Sequence, residues 1–245
     1  MRSDVFGFSL GRRGALALLA GTLLLPTLPA LAQSETSKKI GIVGAGNIGG
    51  TLGRLWIKAG YEVFFSSRHP EELKPLVDEL GPKAHAGTPA DAIAFGNAVL
   101  IAVPYKAYPE LGRENAAGLK NKVVIDAGNA VKARDGAVYD EVERDGIGAT
   151  SAKYLAGARV VRAFNAANYK VFQKNAGRPE PRMAVPIAGN DPKALETART
   201  LVSDAGFDPV VVGELKAADT FAMGSPGFGH DLSAPELKKK LGVKP

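Results

Sequence analysis

The chain has 245 residues, a formal net charge of +6 and no cysteine. This length suffices for one well-buried core. The missing cysteines exclude disulfides, thiolate nucleophiles, iron–sulfur clusters and thiolate zinc sites, and no metal site is predicted. The positive charge is modest and comes without a cluster of Lys and Arg interleaved with aromatic residues, which argues against a nucleic-acid partner.

Residues 1–32 have the features of a twin-arginine export signal. Arg12 and Arg13 precede an apolar stretch, and Ala30 and Ala32 supply the small residues that a signal peptidase requires. A membrane anchor is the alternative, but the apolar run is short for a span of about 20 residues and prolines interrupt it. We expect cleavage after Ala32, a periplasmic location and no membrane attachment of the mature chain. Cleavage removes three Arg and one Asp, which lowers the net charge from +6 to +4.

After a polar linker at residues 33–38, patterns typical of strands and helices alternate with short connections. The predicted strands are 39–43, 61–65, 83–86, 98–101, 122–126, 159–163, 183–188 and 208–212. The predicted helices are 48–59, 70–80, 88–95, 107–119, 151–155, 167–174, 192–205 and 233–241. This order predicts an α/β fold, a doubly wound Rossmann-type parallel sheet. We expect residues 39–176 to form a nucleotide-binding domain and residues 177–245 a short α/β C-terminal extension and tail.

The first predicted strand ends in a glycine-rich turn with G-x-G-x-x-G spacing. Gly44 permits the tight turn, Gly46 leaves room for a diphosphate, and Gly49 lets the following helix pack closely on the strand. The N–H groups at the start of that helix favour an anion. An ordinary turn is the alternative. We predict a dinucleotide pyrophosphate site formed by Gly44, Ala45, Gly46, Asn47, Ile48 and Gly49.

The second predicted strand favours NADP(H) over NAD(H). An NAD site needs a carboxylate about 20 residues beyond the glycines to bind the ribose 2′-hydroxyl. The strand ends instead in Ser66, Ser67 and Arg68, two hydroxyls and a guanidinium that suit a 2′-phosphate. We therefore predict that these residues bind NADP(H). A polar loop that caps the next helix through Ser67 or His69 is the alternative.

Two further segments follow predicted strands and should lie at the ligand-binding edge of the sheet. Val103, Pro104 and Tyr105 could form a wall for the nicotinamide, or a rigid turn with a packed aromatic side chain. Asp126 and Asn129 flank a permissive glycine, where an Asx-type turn is favoured.

The remaining candidates concern the second substrate. Asn165 and Asn168 follow the sixth predicted strand, where either could orient a substrate carbonyl or cap the next helix. Met223 belongs to a glycine-rich C-terminal segment that could close over the cleft, reach a partner subunit in a homodimer, or remain a disordered tail. His230 in the same segment is the candidate proton donor, with a loop histidine as the alternative. No other catalytic residue is predicted.

Five motifs in order resemble the NADPH:deazaflavin oxidoreductases, whose N-terminal domain is shared with pyrroline-5-carboxylate reductases and with the cytosolic part of some metalloreductases. They are G-A-G-N-I-G at Gly44, S-S-R at Ser66, V-P-Y at Val103, V-R-A-F-N at Val161 and A-G-F-D-P-V at Ala205. The resemblance implies hydride transfer between NADPH and a flavin-like ring. By position it assigns Ser67 and Arg68 to the 2′-phosphate, Gly44 to Ile48 to the diphosphate and Pro104 to the nicotinamide.

We therefore expect an NADP(H)-dependent oxidoreductase acting on a small molecule: deazaflavin, flavin or another small flat oxidised acceptor. An imine or ketone reductase resembling pyrroline-5-carboxylate reductase is one alternative. That class usually adds a large helical domain, whereas the residues after Phe164 still alternate strand with helix. A non-catalytic NADP-binding sensor or partner subunit is the second alternative.

Overall fold

The computed structural model describes residues 38–243. The predicted export signal at residues 1–32 lies outside the described residues. Among residues 38–243, no helix combines the length and the apolar character that a membrane crossing requires.

The described chain forms an eight-stranded sheet with the order β3-β2-β1-β4-β5-β6-β7-β8. Its strands are β1 Lys39–Val43, β2 Glu62–Ser66, β3 Ala84–Gly87, β4 Ala98–Ile101, β5 Val123–Asp126, β6 Arg159–Arg162, β7 Ala184–Gly189 and β8 Asp208–Gly213. The first six strands are parallel and have the order of a Rossmann fold, with the reversal of winding between β1 and β4. This confirms the predicted α/β fold and all eight predicted strands, within one or two residues at each end.

The described helices are α1 Asn47–Lys58, α2 Lys74–Leu80, α3 Pro89–Phe95, α4 Tyr108–Glu114, α5 Ala116–Leu119, α6 Lys132–Asp135, α7 Ala137–Asp145, α8 Ile147–Tyr154, α9 Tyr169–Asn175, α10 Pro192–Asp204 and α11 Ala234–Leu241. Short 3-10 helices cover Pro70–Leu73, Tyr105–Ala107 and Leu215–Phe221. The sequence analysis missed α6, α7 and the last 3-10 helix, and the predicted helix 107–119 is broken at Asn115.

The sheet separates two apolar layers. One contains Trp56 and the T-shaped aromatic contacts of Phe164 with Trp56, Phe172 and Phe207. The other packs Tyr105 and Tyr108 against the α8 side of the sheet. Because both faces are covered, β4 is apolar throughout and β5 is apolar up to its last residue, Asp126, as expected of buried parallel strands.

The sheet changes direction after β6. β7 runs antiparallel to β6, with Arg162 opposite Ala188, and β8 then runs parallel to β7. This differs from the predicted all-parallel sheet. Helix α11 covers the last two strands, because Leu237 packs on Ala184 and Val210. The end of the chain thereby returns to the same side of the molecule as the loops that follow β5 and β6.

Candidate functional site

The glycine turn after β1 has three different steric environments. Gly44 has a φ of +100°, and a side chain there would meet the Ala102 carbonyl oxygen at 2.6 Å. A Cβ on Gly49 would lie 2.0 Å from the Gly44 carbonyl oxygen, so only glycine lets α1 approach the turn. A Cβ on Gly46 would meet nothing within 4 Å. Gly46 is therefore dispensable for packing and borders open space.

The start of α1 offers free backbone donors to that open space. The first turn of the helix contains no acidic residue, and Gly46 as N-cap has no side-chain acceptor. The first backbone hydrogen bond runs from Gly50 N to Gly46 O, at 2.7 Å. Within residues 38–243, the N–H groups of Asn47, Ile48 and Gly49 have no recorded acceptor. Such an end of a helix carries partial positive charge and binds phosphate groups.

The end of β2 lies directly beside the glycine turn. The Ser66 carbonyl accepts hydrogen bonds from the N–H groups of Gly44 and Ala45, at 3.2 and 3.1 Å. The Ser66 hydroxyl is fully buried and donates to the Ile42 carbonyl at 2.8 Å. The prediction that Ser66 contributes a donor to a 2′-phosphate is therefore wrong, because that hydroxyl is already used inside the sheet.

Ser67 and Arg68 remain at the surface. Ser67 Oγ accepts from the N–H of His69 at 3.1 Å, and its own hydroxyl hydrogen stays free to donate. Arg68 is exposed, and no hydrogen bond or ion pair involves it within the described part of the chain. The nearby Glu71 lies 3.6 Å from the His69 ring. The end of β2 therefore presents an unpaired guanidinium with no carboxylate among the strand's last residues.

The loop after β4 packs against the glycine turn. Val103 Cγ1 lies 2.7 Å from where a Gly44 Cβ would be, and Pro104 is exposed beside it. Tyr105, by contrast, is fully buried, stacks on Tyr108 with ring centroids 4.4 Å apart and pairs with the Ser151 hydroxyl at 2.7 Å. The prediction that Tyr105 offers a flat face to the nicotinamide is therefore wrong; the packed-aromatic alternative is what the structure contains.

A buried ion pair fixes the loop after β5. Asp126 and Arg162 lie opposite each other on β5 and β6, both fully buried, with 2.7 Å between Oδ2 and Nη1. Asp126 Oδ1 accepts from the Tyr108 hydroxyl at 2.6 Å and from the Gly128 N–H at 2.9 Å, which confirms the Asx-type turn. Arg162 Nη2 donates to the Gly128 carbonyl at 2.6 Å. Both polar groups of Gly128 are therefore held by one charge pair.

This environment fixes the charge states of the groups around the pair. Burial raises the pKa of the Tyr108 hydroxyl well above its usual value, and the Asp126 carboxylate raises it further. Burial also raises the pKa of Tyr105. For Arg162, burial opposes the charged form, but the neighbouring Asp126 carboxylate outweighs it and raises the pKa of the guanidinium. Both tyrosines are therefore neutral donors, and Arg162 is a permanent cation.

Asn129 lies at the end of that loop and binds two other segments. Its Nδ2 donates to the Asn165 carbonyl at 2.7 Å, and its Oδ1 accepts from the Met223 N–H at 3.3 Å. Arg134 Nη2 donates to the Asn129 carbonyl at 2.6 Å. Sequence reasoning placed Asn129 in a turn and missed this role, because the partners are 36 and 94 residues away.

The loop after β6 begins with a strained residue. Phe164 has a φ of +60°, a conformation that costs a bulky L-residue about 1–2 kcal/mol. Burial of its ring against Trp56, Phe172 and Phe207 offsets this cost. The positive φ of Phe164 lets its ring pack on one face of the sheet while Asn165 and Ala166 lie on the opposite face.

Asn165 is 1% exposed, and its Nδ2 donates to the Phe221 carbonyl and to Asn129 Oδ1, both at 3.4 Å. The prediction that Asn165 contacts a substrate carbonyl is therefore wrong for this arrangement, because its carboxamide lies beneath the surface. Asn168 caps α9 by accepting from Lys170 N at 2.9 Å, as one of the two alternatives predicted.

A cavity of about 480 Å³ opens beside Asn129. It lies between the loop after β5, helix α7, the start of α8 and the segment after the last 3-10 helix, and Met223 lines it. Its carboxylates are Glu143, Asp145 and Asp219; Arg144 pairs with Asp145 at 2.7 Å, and Asp219 accepts from Ile147 N at 2.8 Å. The cavity therefore has an acidic wall at α7 and an apolar rim at Met223.

His230 lies elsewhere. Its Nε2 is 3.0 Å from the Pro226 carbonyl, and it borders a narrow apolar space beside Leu232 and Leu237. His230 is not among the residues that line the cavity at Asn129. The structure therefore does not place it as a proton donor there.

The residues present fit a phosphorylated dinucleotide. The open space at Gly46, the free amides of α1 and the unpaired Arg68 lie in a row, because β2, β1 and β4 are neighbours in the sheet. The row continues through Val103 and Pro104 to Asn129 after β5. This row runs along the carboxyl edge of the parallel strands, where α/β proteins of this topology bind nucleotides.

Residues 39–130 match the family model described as NADP oxidoreductase, coenzyme F420-dependent. The match includes the glycine turn, Arg68 and Val103–Pro104, and ends at the loop that carries Asn129. It confirms the family resemblance inferred from the motifs.

Two comparisons extend over most of the described chain. The metalloreductase STEAP3 of Rattus norvegicus is 27% identical over 188 residues, which are 75% of this chain and 36% of the rat protein. The chain therefore spans about a third of the length of that relative. The solved structure of a hypothetical protein from Sinorhizobium meliloti is 26% identical, with a TM-score of 0.68, and the match covers 80% of this chain and 95% of that one.

Two further solved structures share the fold. A chain from Arthrobacter sp. FB24, described as an F420-dependent NADP reductase, is 22% identical with a TM-score of 0.65 and matches over 80% of this chain and 99% of its own. An imine reductase from Myxococcus stipitatus in complex with NADP+ is 21% identical with a TM-score of 0.54, over 73% of this chain and 56% of its own. These likenesses concern the Rossmann-type architecture alone.

Proposed function

We propose that the chain is an NADP(H)-dependent oxidoreductase that exchanges a hydride with a small flat acceptor bound beside Asn129. Two features at the ends of neighbouring strands carry the proposal: the amides at the start of α1 and the exposed guanidinium of Arg68, neither of which has a partner within residues 38–243. The family match at residues 39–130 supports the same chemistry.

The nucleotide would be held mainly by backbone groups. The N–H groups of Asn47 and Ile48 would receive the diphosphate, with Gly46 providing the approach. Ser67 and Arg68 would hold the 2′-phosphate, since a guanidinium and a free hydroxyl hydrogen are both donors to a dianion. Val103 and Pro104 would contact the nicotinamide half. The bound cofactor supplies the hydride.

The cavity beside Asn129 suits the acceptor. Its position after β5 continues the row of cofactor-binding residues, and its volume of about 480 Å³ accommodates a compact ring system. Hydride exchange depends mainly on proximity and orientation, so the fixed loop at Gly128 and the apolar Met223 are the contributions expected of the protein. Flavin, deazaflavin and quinone-like acceptors all meet this requirement.

The test is consumption of NADPH by the purified protein with quinones, flavins, deazaflavin and cyclic imines as acceptors. Stoichiometric oxidation of NADPH with at least one flat ring acceptor is the expected result. Reduction of cyclic imines alone would instead favour the imine-reductase alternative. Tight NADPH binding with no oxidation under any condition would overturn catalysis and identify a sensor.

A further inference from the structure

The segment from Ala222 to Gly229 lies against the loops of the candidate site through two hydrogen bonds. Near its start, Met223 N–H donates to Asn129 Oδ1 at 3.3 Å, and at its end Gly229 N–H donates to the Ala166 carbonyl at 2.7 Å. Gly224, between these points, and Gly229 both have positive φ. The bond to Asn129 joins the start of this segment to the loop after β5.

Asn129 itself is held in place from three sides. The Gly128 peptide before it is fixed by Asp126 and Arg162, and its own carbonyl accepts from Arg134. Its Nδ2 is engaged by the Asn165 carbonyl at 2.7 Å, which leaves Oδ1 facing the Met223 N–H. The Asn129 side chain therefore lies between the loop that the buried ion pair fixes and the segment that carries Met223.

Met223 is an unusual side chain for its position. It is 48% exposed, the one large apolar side chain of residues 38–243 that is clearly exposed, and it lines the cavity together with Asn129 and Ala222. An exposed methionine at the rim of a cavity is adaptable apolar surface for a flat ligand. Its backbone N–H is the group that the Asn129 side chain binds.

We propose that Asn129 is a positioning residue, which holds Met223 at the rim of the cavity and thereby sets the affinity for the acceptor. This proposal rests on the proposed function and adds the residue that decides acceptor affinity. Asn129 need not touch the acceptor to act in this way.

The first experiment is independent of activity. Hydrogen–deuterium exchange of the Met223 amide is compared between the wild type, Asn129→Ala and the control Asn115→Ala, whose amide bonds the Leu111 carbonyl on α4. Loss of a single hydrogen bond should raise the exchange rate at Met223 about fivefold in Asn129→Ala and leave it unchanged in the control. Equal exchange in wild type and Asn129→Ala would overturn the proposal, whether or not an acceptor is ever found.

The second experiment separates the Met223 N–H from its side chain. The Ser225 N–H bonds the Ala222 carbonyl at 3.0 Å and Gly224 has a φ of +88°, so Met223 is the second residue of a type II turn, where proline is favoured. Met223→Pro therefore removes both the donor and the methionine side chain while keeping the turn, whereas Met223→Ala removes the side chain alone. The difference between the two variants isolates the donor.

The kinetic expectation follows from this pair. Asn129→Ala should raise the acceptor KM about three- to tenfold with kcat and NADPH affinity nearly unchanged, as expected for loss of one hydrogen bond. In the Met223→Pro background, Asn129→Ala should raise the acceptor KM little further, because the donor is already absent. In the Met223→Ala background, Asn129→Ala should still speed exchange of the amide at position 223. A fall in kcat together with NADPH affinity, or full additivity with Met223→Pro, would instead show a merely structural role.

Discussion

Arg68 offers the sharpest test of cofactor choice. Its guanidinium is exposed and takes part in no ion pair within residues 38–243, while the nearby Glu71 lies beside His69. The change Arg68→Ala therefore removes a charge without breaking a contact of the fold. Stability of the variant should stay within about 0.5 kcal/mol of wild type.

The expected loss of NADPH affinity follows from the exposure of the site. Hydrogen bonds to charged groups contribute about 1.5–3 kcal/mol, and solvent screening places an exposed contact at the lower end. We expect about 1.5–2 kcal/mol, a 12- to 30-fold weaker Kd for NADPH. NADH lacks the 2′-phosphate, so its affinity should not change.

Isothermal titration calorimetry with both nucleotides measures this difference directly. Arg113→Ala is the matched control, because it removes an equal charge from an exposed arginine that pairs with Glu110 and Glu114 on α4. The Arg68 effect should shrink as ionic strength rises. An equal loss for NADPH and NADH, or wild-type protein that binds the two equally, would refute the reasoning.

Three other predictions address the turn, the pH dependence and export. Gly46→Ala should keep the melting temperature but weaken the affinity for NADPH about tenfold. Gly49→Ala should destabilise the fold by about 1–3 kcal/mol, because its Cβ would lie 2.0 Å from the Gly44 carbonyl oxygen. Thermal denaturation measures the effect on stability, and calorimetry measures the effect on NADPH binding. Burial acts to raise the pKa of Asp135, but hydrogen bonds from Arg134 and from backbone N–H groups outweigh it and lower that pKa below the usual value. Because the folded-state pKa is depressed, the stabilisation by the carboxylate is complete above about pH 4 and is lost as the pH falls through the folded value. The free energies of unfolding of Asp135→Asn and wild type, measured in urea, should therefore differ by about 1–3 kcal/mol at pH 7 and converge in acid. A difference that persists in acid would contradict this. N-terminal sequencing of the chain recovered from a periplasm should begin at Gln33, and export should stop when both Arg12 and Arg13 are changed to Lys.

Features set by the backbone were predictable from the sequence. The steric roles of Gly44 and Gly49 were predicted correctly, because positive φ and close helix packing leave no choice of residue. The strands were found because each is a short apolar run between turn residues. The assignment of residues 44–49, Ser67, Arg68, Val103 and Pro104 to the cofactor stays a prediction.

Features set by side-chain direction and distant contacts were not predictable. Ser66 and Tyr105 were assigned to the cofactor from their place in the chain, yet both point into the interior. Helix α7 was missed because its few apolar residues, including Val142, lie in a charged stretch. The Asp126–Arg162 pair had a usable signal: two apolar strands that end in opposite charges.

The last 3-10 helix, Leu215–Phe221, has a consequence for how such a protein could diversify. Because β7 and β8 run antiparallel to β6, β8 ends at the sheet edge opposite the candidate site, and this helix carries the chain back so that Ala222 and Met223 border the cavity at Asn129. The region that matches the NADP family ends at residue 130. Under the proposed function, substitutions in residues 222–229 would change the preference for the acceptor and leave residues 39–130 unaltered. Exchanging residues 222–229 between related chains would be a compact way to transplant that preference.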